Sequence, residues 1–381
     1  MLSPLATALP AMTALQGTVA LGLFGLSALA PQLGLSLAQL AALNTLMFAV
    51  GTLGALTAGR WLQQFGDWNV AALCAAAVAA GMLCLLAGGA WAPWCAVLLF
   101  GVAFGPETPA SASVLSRVTP APRRPWIFSV RQTGNQIGAV LGSLMLPALW
   151  MVDARLPYAA VVLIALSMAG WCLLLSRGDR RTSTARPVGV EWAALKRVAR
   201  SASLRSLAFA ALCYTAVQMC LNTFLMTLAV RDWHLPVAQA ATCVAGLQAA
   251  GFAGRLAWGA LAQRLASAGR LLGGLGLLIA ASGALLMLGP RDGALPLLAL
   301  ALLGFSASGW NGVLVAEVSR IGGPEQAGAL TGAVLMFGYL GLTLAPLAFA
   351  AGSAAASMTL AFLLLFGLAA LAALGLLRRI S

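Results

Sequence analysis

Blocks of about twenty apolar residues recur along this chain, separated by short stretches rich in Pro, Gly and charge, and no other feature restricts its fold as tightly. Trp91 to Val114, Leu271 to Leu288 and Met358 to Leu377 are three such blocks. Each approaches the roughly 20 residues with which a helix crosses about 30 Å of hydrocarbon. Only 8% of the chain is charged, against 61% hydrophobic, whereas a soluble domain carries about a quarter charged residues. Such a chain cannot coat a water-facing surface, so the expected fold is an all-α, polytopic membrane protein. The breaks predict twelve transmembrane helices, near 8–30, 37–60, 70–91, 94–117, 127–151 and 156–176, then 205–230, 237–263, 271–289, 295–318, 328–351 and 355–377.

This layout gives two six-helix bundles, residues 1–176 and 205–381, joined by a linker over 177–204. The linker is the one markedly polar stretch, with Arg177, Arg180, Arg181, Arg186, Lys196, Arg197 and Arg200. Its part from Val190 to Arg200 reads either as a short helix on an anionic membrane surface or as unstructured chain.

The net charge of +13 does not point to nucleic acid, because the basic residues sit in short loops between apolar blocks and not on an aromatic-interleaved soluble stripe. They act as topology determinants. Of the 22 Lys and Arg residues, only Arg155, Arg231 and Arg291 fall in loops of one face, each beside an aspartate (Asp153, Asp232, Asp292). The opposite, basic face is then cytoplasmic. An even number of spans puts both termini there, as expected for a multi-pass protein of a bacterial inner membrane. Trp91, Trp94, Trp150 and Trp233 would form an outer aromatic belt, and Trp61, Trp68, Trp126 and Trp192 an inner one. The N-terminus has no basic region of the kind that opens a cleavable signal.

Several chemistries have no basis in these residues. The seven cysteines show no C-x-x-C spacing and there is one histidine, His234, so neither a disulfide framework nor a zinc site is expected. No phosphate-binding G-x-x-x-x-G-K-[ST] loop is present, which leaves out an ATP-driven motor. Neither a Ser/His/Asp constellation nor a cofactor motif lies in the spans, so no enzyme activity and no cofactor are expected.

An offset near 200 residues superimposes the two halves. Gly51, Gly54, Gly59 and Gln63 fall on Gly251, Gly254, Gly259 and Gln263. Gly101 and Arg117 fall on Gly304 and Arg320; Thr133-Gly134, Gly142 and Pro147 answer Thr331-Gly332, Gly341 and Pro346. Three matched pairs of spans in order imply duplicated halves, the layout of a carrier whose halves rock about a midplane site.

The segment Gly59-Arg-Trp-Leu-Gln-Gln-Phe-Gly66, with its echo Gly259-Ala-Leu-Ala-Gln-Arg264, resembles the loop signature G-x-x-x-D-R-x-G-R-[RK] of the major facilitator superfamily. Both copies depart from it: Gln63 and Gln263 stand at the acidic position, and Asp67 at a basic one. Gly105-Pro-Glu-Thr-Pro-Ala110, Arg131-Gln-Thr-Gly134, Gly254-Arg-Leu-Ala-Trp-Gly259 and Gly309-Trp-Asn-Gly312 are similar to the bacterial cyanate and nitroimidazole carrier branch, and more loosely to monocarboxylate and oxalate carriers. The resemblance implies a secondary transporter working by alternating access.

Charges deep in a span are candidates for function, since each costs about 2.5–3.5 kcal/mol on insertion scales. Glu107, ten residues before Arg117, lies about 15 Å inside its span. It reads as a proton-coupling acid, a cation-binding group or the partner of Arg131 on the next helix, and these roles are compatible. Arg131 opens a polar strip with Gln132, Asn135 and Gln136, which must face protein or a watery cavity. This group is expected to serve proton coupling or gating. Arg255, nine residues before Arg264, lies about 13 Å inside its span. Its repeat equivalent is Ala55, so packing did not require it in both halves. A permanently charged planar fork suits a carboxylate or similar anion; pairing with Glu107 and snorkelling to the interface are the other readings. Gln16, Asn44, Tyr214, Gln218, Asn222, Trp310, Asn311 and Tyr339 are the remaining substrate-binding candidates, Trp310 standing at the repeat position of Glu107.

The expected function is symport of a small organic or inorganic anion with protons, by a monomer, across the inner membrane. Efflux of hydrophobic or cationic drugs through Glu107 is the alternative.

Overall fold

The computed structural model describes residues 4–120, 123–178, 192–262, 264–265, 267–290 and 293–379. Expectations for the linker residues Arg180, Arg181 and Arg186, for Gln263, and for the loop pair Arg291 and Asp292 lie outside the described residues. The chain is helical nearly throughout, and the described residues contain no strand.

The N-terminal spans are α1 (Pro4–Ala28), α2 (Leu37–Phe65), α3 (Asp67–Ala87), α4 (Ala92–Val118), α5 (Arg124–Val152) and α6 (Leu156–Gly178). A short helix, α7 (Trp192–Arg200), precedes α8 (Ala202–Arg231), α9 (Val237–Ala262), α10 (Gly269–Leu288), α11 (Leu295–Ala307), α12 (Trp310–Ala355) and α13 (Met358–Arg379). Among the described residues, eleven stretches are long and apolar enough to cross a membrane. The twelfth span is α9, whose 26 residues suffice for the distance while Gln248 and Arg255 dilute its apolar run.

Helix ends follow local chemistry. Gly66, Gly88, Gly89 and Gly293 take positive φ at the breaks beside α2, α3 and α11, a conformation open to glycine without Cβ strain. Proline in the first turn starts α4, α5 and α11, where its missing N–H leaves no bond unmade. Before α2, Ser36 and Gln39 form a reciprocal capping box: each backbone N–H donates to the other's side chain, at 3.0 and 3.2 Å.

One expected span is built differently. The stretch 295–318 is interrupted at Ser308 and Gly309, between α11 and α12. There the Gly309 N–H turns to Ser306, and the Phe305 carbonyl accepts the Trp258 indole N–H at 2.9 Å. From Trp310 helical backbone continues for 46 residues to Ala355. The stretch takes in the end of one span, Leu295–Gly322, and all of the next, Leu330–Ala355.

The chain divides into two compact units, one of Met1–Leu35, Leu43–Gly189 and Pro236–Ala241, the other of Ser36–Ala42, Val190–Leu235 and Thr242–Ser381. Their internal packing repeats. In the first, α1 packs on α5, and α3 packs on α4 and α6. In the second, α8 packs on α12, and α10 on α11 and α13. The paired glycines serve the same end in both. A Cβ on Gly54 would sit 3.4 Å from Gly105 Cα, and one on Gly51 would strike the Phe104 ring. On α9, a Cβ on Gly251 would meet the Ser308 side chain at 2.6 Å, and one on Gly254 would collide with the Phe305 carbonyl. Small residues thus let α2 approach α4, and α9 approach α11, nearly backbone to backbone, where dispersion contacts hold helices together in lipid.

Helix α7 turns Ala194 and Val198 inward and leaves Trp192, Lys196, Arg197 and Arg200 exposed. It rests on α8 and α12, which favours the short-helix reading of residues 192–200 over unstructured chain.

Candidate functional site

In the N-terminal unit the deep charges meet. Prolines 106 and 109 lie inside α4 on either side of Glu107, and the Arg131 side chain on α5 forms an ion pair with it through Nη2 and Oε1. Thr108 and Ser111 donate their hydroxyls to the Glu107 carboxylate at 3.1 and 3.2 Å. Arg131 Nη2 in turn donates to Ser111 Oγ at 3.2 Å. The side chains of Arg131 and Glu107 are only 2% and 3% exposed. Two ions this deep are tolerable only as a hydrogen-bonded pair, since desolvation costs several kcal/mol per ion. The pairing reading of Glu107 therefore holds.

The rest of the polar strip follows one turn along. Gln16 on α1 donates from Nε2 to Gln132 Oε1 at 3.1 Å. Gly134 and Gly138 bring α5 against Thr13, Gln16 and Gly17 of α1, where a Cβ would collide with backbone. Gln136 is fully buried, with neither amide atom hydrogen-bonded among the described residues. Asn44 on α2 is also buried.

In the C-terminal unit the expected residues form a hydrogen-bonded wall on α8, α9 and the start of α12. Trp310, at the beginning of α12, is buried and donates its indole N–H to Gln218 at 3.3 Å. Its ring meets that of Tyr214 edge-on, with centroids 6.0 Å apart. The Tyr214 hydroxyl is committed to the Leu272 carbonyl at 3.2 Å, which ties α8 to α10. Asn222 accepts from Gln248 Nε2 at 2.7 Å. Arg255 is partly buried on α9. It lies seven residues after Gln248, so the two project from one face of that helix. Asn311 and Tyr339 are partly buried, with no side-chain hydrogen bond among the described residues drawing them into this wall.

Sequence reasoning missed three residues. Gln248 is a single amide in an apolar helix, and its only signal was the i, i+7 spacing to Arg255. Asp67 is buried and pairs with Arg117 at 2.8 Å, besides accepting from Ser113 at 2.7 Å. An ionic clasp therefore exists at this helix end although Gln63 stands at the acidic position. Glu317 is buried too: it pairs with Arg320 at 2.6 Å and accepts the Ala268 N–H at 2.8 Å. The repeat match of Arg117 with Arg320 could have drawn attention to both.

No group of three or more His, Cys, Asp or Glu that could hold a metal occurs among the described residues.

Residues 8–346 match the family model of the Major Facilitator Superfamily. No curated protein matches the sequence. Solved structures similar in fold include a bacterial homologue of the human lysosomal transporter Spinster, inward-facing and unoccupied, at TM-score 0.74 and 17% identity, covering 100% of this chain and 96% of that one. The nucleoside transporter NupG aligns at TM-score 0.79 and 14% identity, over 99% and 100% of the two chains. The Escherichia coli fucose:proton symporter FucP aligns at 0.65 and 17%, over 97% and 98%.

Proposed function

Since the chain belongs to the Major Facilitator Superfamily and is a multi-pass membrane transporter, we propose that it carries a small organic or inorganic anion by alternating access, with proton movement linked to Glu107. The observation that carries this reading is the face of α9 shared by Arg255 and Gln248. A permanently charged, planar donor fork stands about 10 Å along the helix from an amide already held by Asn222. Such a wall offers charge-assisted bonds to a carboxylate or similar anion and neutral donors beside it. The cyanate and nitroimidazole carrier likeness of Arg131-Gln-Thr-Gly134 and Gly254-Arg-Leu-Ala-Trp-Gly259 supports a small substrate of this kind.

The halves that rock are residues 1–176 and 205–381, linked by 177–204, in a monomer of the bacterial inner membrane with both termini cytoplasmic. Glu107 already accepts from Arg131, Thr108 and Ser111, which weighs against the alternative of a cationic drug bound at that carboxylate. Proton binding at Glu107 would release Arg131, so one protonation event can be felt on both α4 and α5. Gln132, next to Arg131 on α5, belongs to the same gating group.

The test is a thermal-stability screen in detergent, because a ligand that binds only the folded carrier raises its melting temperature. Small carboxylates and inorganic anions should stabilise the wild type and not Arg255→Ala. Stabilisation by ethidium or other cations, with none by anions, would replace this reading with drug efflux.

A further inference from the structure

Gln132 and Gln136 lie one helical turn apart on the same face of α5, yet the structure treats them differently. Gln132 is satisfied by Gln16 at 3.1 Å. Gln136 is 0% exposed, and both its Oε1 and its Nε2 lack any hydrogen-bond partner among the described residues. The Oε1 of Gln16, buried at 8% exposure, is also unpartnered.

A primary amide brings two donors and an acceptor with two lone pairs, and burying it unbonded costs its full desolvation. Native proteins leave few such groups without a reason. Packing does not supply one here. At the offset of 198 that joins Thr133 to Thr331, Gln136 corresponds to Val334, which is equally buried at 0% exposure. The same place in the other copy is filled by an apolar side chain, so the repeated architecture does not call for an amide.

We propose that Gln136, with Gln16 beside Gln132, is a substrate-binding amide pair, and that the anion carried bears a neutral group that both donates and accepts hydrogen bonds: a hydroxyl or a carboxamide. The inference deepens the anion reading and rests on it. Gln136 moves from the gating group to the binding group.

Gln136→Met is close in volume and removes the unbonded amide. Two measurements on the purified full chain in detergent decide the matter, using lactate and propionate, which differ by one hydroxyl. The melting temperature of the ligand-free carrier should rise in Gln136→Met, and lactate should stabilise the wild type at about tenfold lower concentration than propionate. In Gln136→Met that preference should vanish. A fall in melting temperature, showing an amide held structurally, overturns the inference, as does a lactate preference unchanged by the substitution. If neither carboxylate stabilises the wild type, the anion reading fails. The ligand-free melting temperature then decides alone, a rise supporting the unbonded amide as a ligand group and a fall refuting it.

Discussion

Asp67 and Glu317 hold equivalent helix ends in the two units, with the helix that supplies the acid exchanged. Asp67 opens α3, and its carboxylate reaches Ser113 and Arg117 near the end of α4, at 2.7 and 2.8 Å. Glu317 sits three residues before Arg320, the repeat counterpart of Arg117, and reaches the Ala268 N–H that opens α10, at 2.8 Å. Each carboxylate thereby lies at a helix N-terminus, where the macrodipole favours negative charge. The same kind of contact occurs in both units although its acids stand at unmatched positions.

Stability should depend on the acid more than on the base of the second clasp. The Glu317 side chain is fully buried while that of Arg320 is 49% exposed. Glu317→Gln disturbs bonds to Ala268, Ser267 and Arg320 together and should cost about 2–3 kcal/mol. Arg320→Gln forfeits a pair half open to solvent and should cost under about 1 kcal/mol. Melting temperatures of the two variants in detergent check the order.

The Glu107–Arg131 pair predicts an asymmetry of another kind. Arg131→Gln leaves a carboxylate, which can be neutralised by binding a proton. Glu107→Gln leaves a guanidinium, which cannot lose its charge. Both single variants should be destabilised, by about 3–5 kcal/mol at the upper end, with Glu107→Gln the worse. The double variant should recover part of the loss, and a double-mutant cycle on melting temperature measures the coupling.

Glycine at close helix crossings predicts a sharp contrast within α9. A Cβ at Gly254 would collide with the Phe305 carbonyl, whereas one at Gly259 meets nothing within 4 Å. Gly254→Ala should therefore lose about 1–3 kcal/mol by overpacking and reduce transport. Gly259→Ala, inside the same helix, should be neutral or slightly stabilising. Thermal unfolding and transport by the two variants test this together.

Much of this was legible in the sequence for a physical reason: lipid demands long apolar helices, so spans announce themselves by length, and close crossings announce themselves by glycines at matched positions. The pairing of Glu107 with Arg131 was legible as well, because two deep charges on successive helices have few other ways to be tolerated. What escaped was whatever carries little hydropathy signal. Gln248 is one amide among alanines, and only its bond to Asn222 gives it a place. Glu317, three residues from Arg320, read as a residue of a helix end, yet a backbone N–H and a hydroxyl draw it inside. The break at Ser308 and Gly309 falls among Gly304, Ser306, Asn311 and Gly312, small and polar residues that mark a weak point in a helix, but the length of the span masked it. The two glutamines of α5 looked alike until Gln16 was seen to satisfy one and leave the other.

The proposed division of labour, with Arg255 holding the anion and Glu107 linking its movement to protons, is tested most directly by counterflow in proteoliposomes with labelled small carboxylates and inorganic anions. Counterflow needs binding and exchange but no net proton movement. Arg255→Ala should abolish it for every anion the wild type carries, while Glu107→Gln should retain it and lose uptake driven by a proton gradient. Unchanged counterflow in Arg255→Ala, together with its loss in Glu107→Gln, would contradict the account.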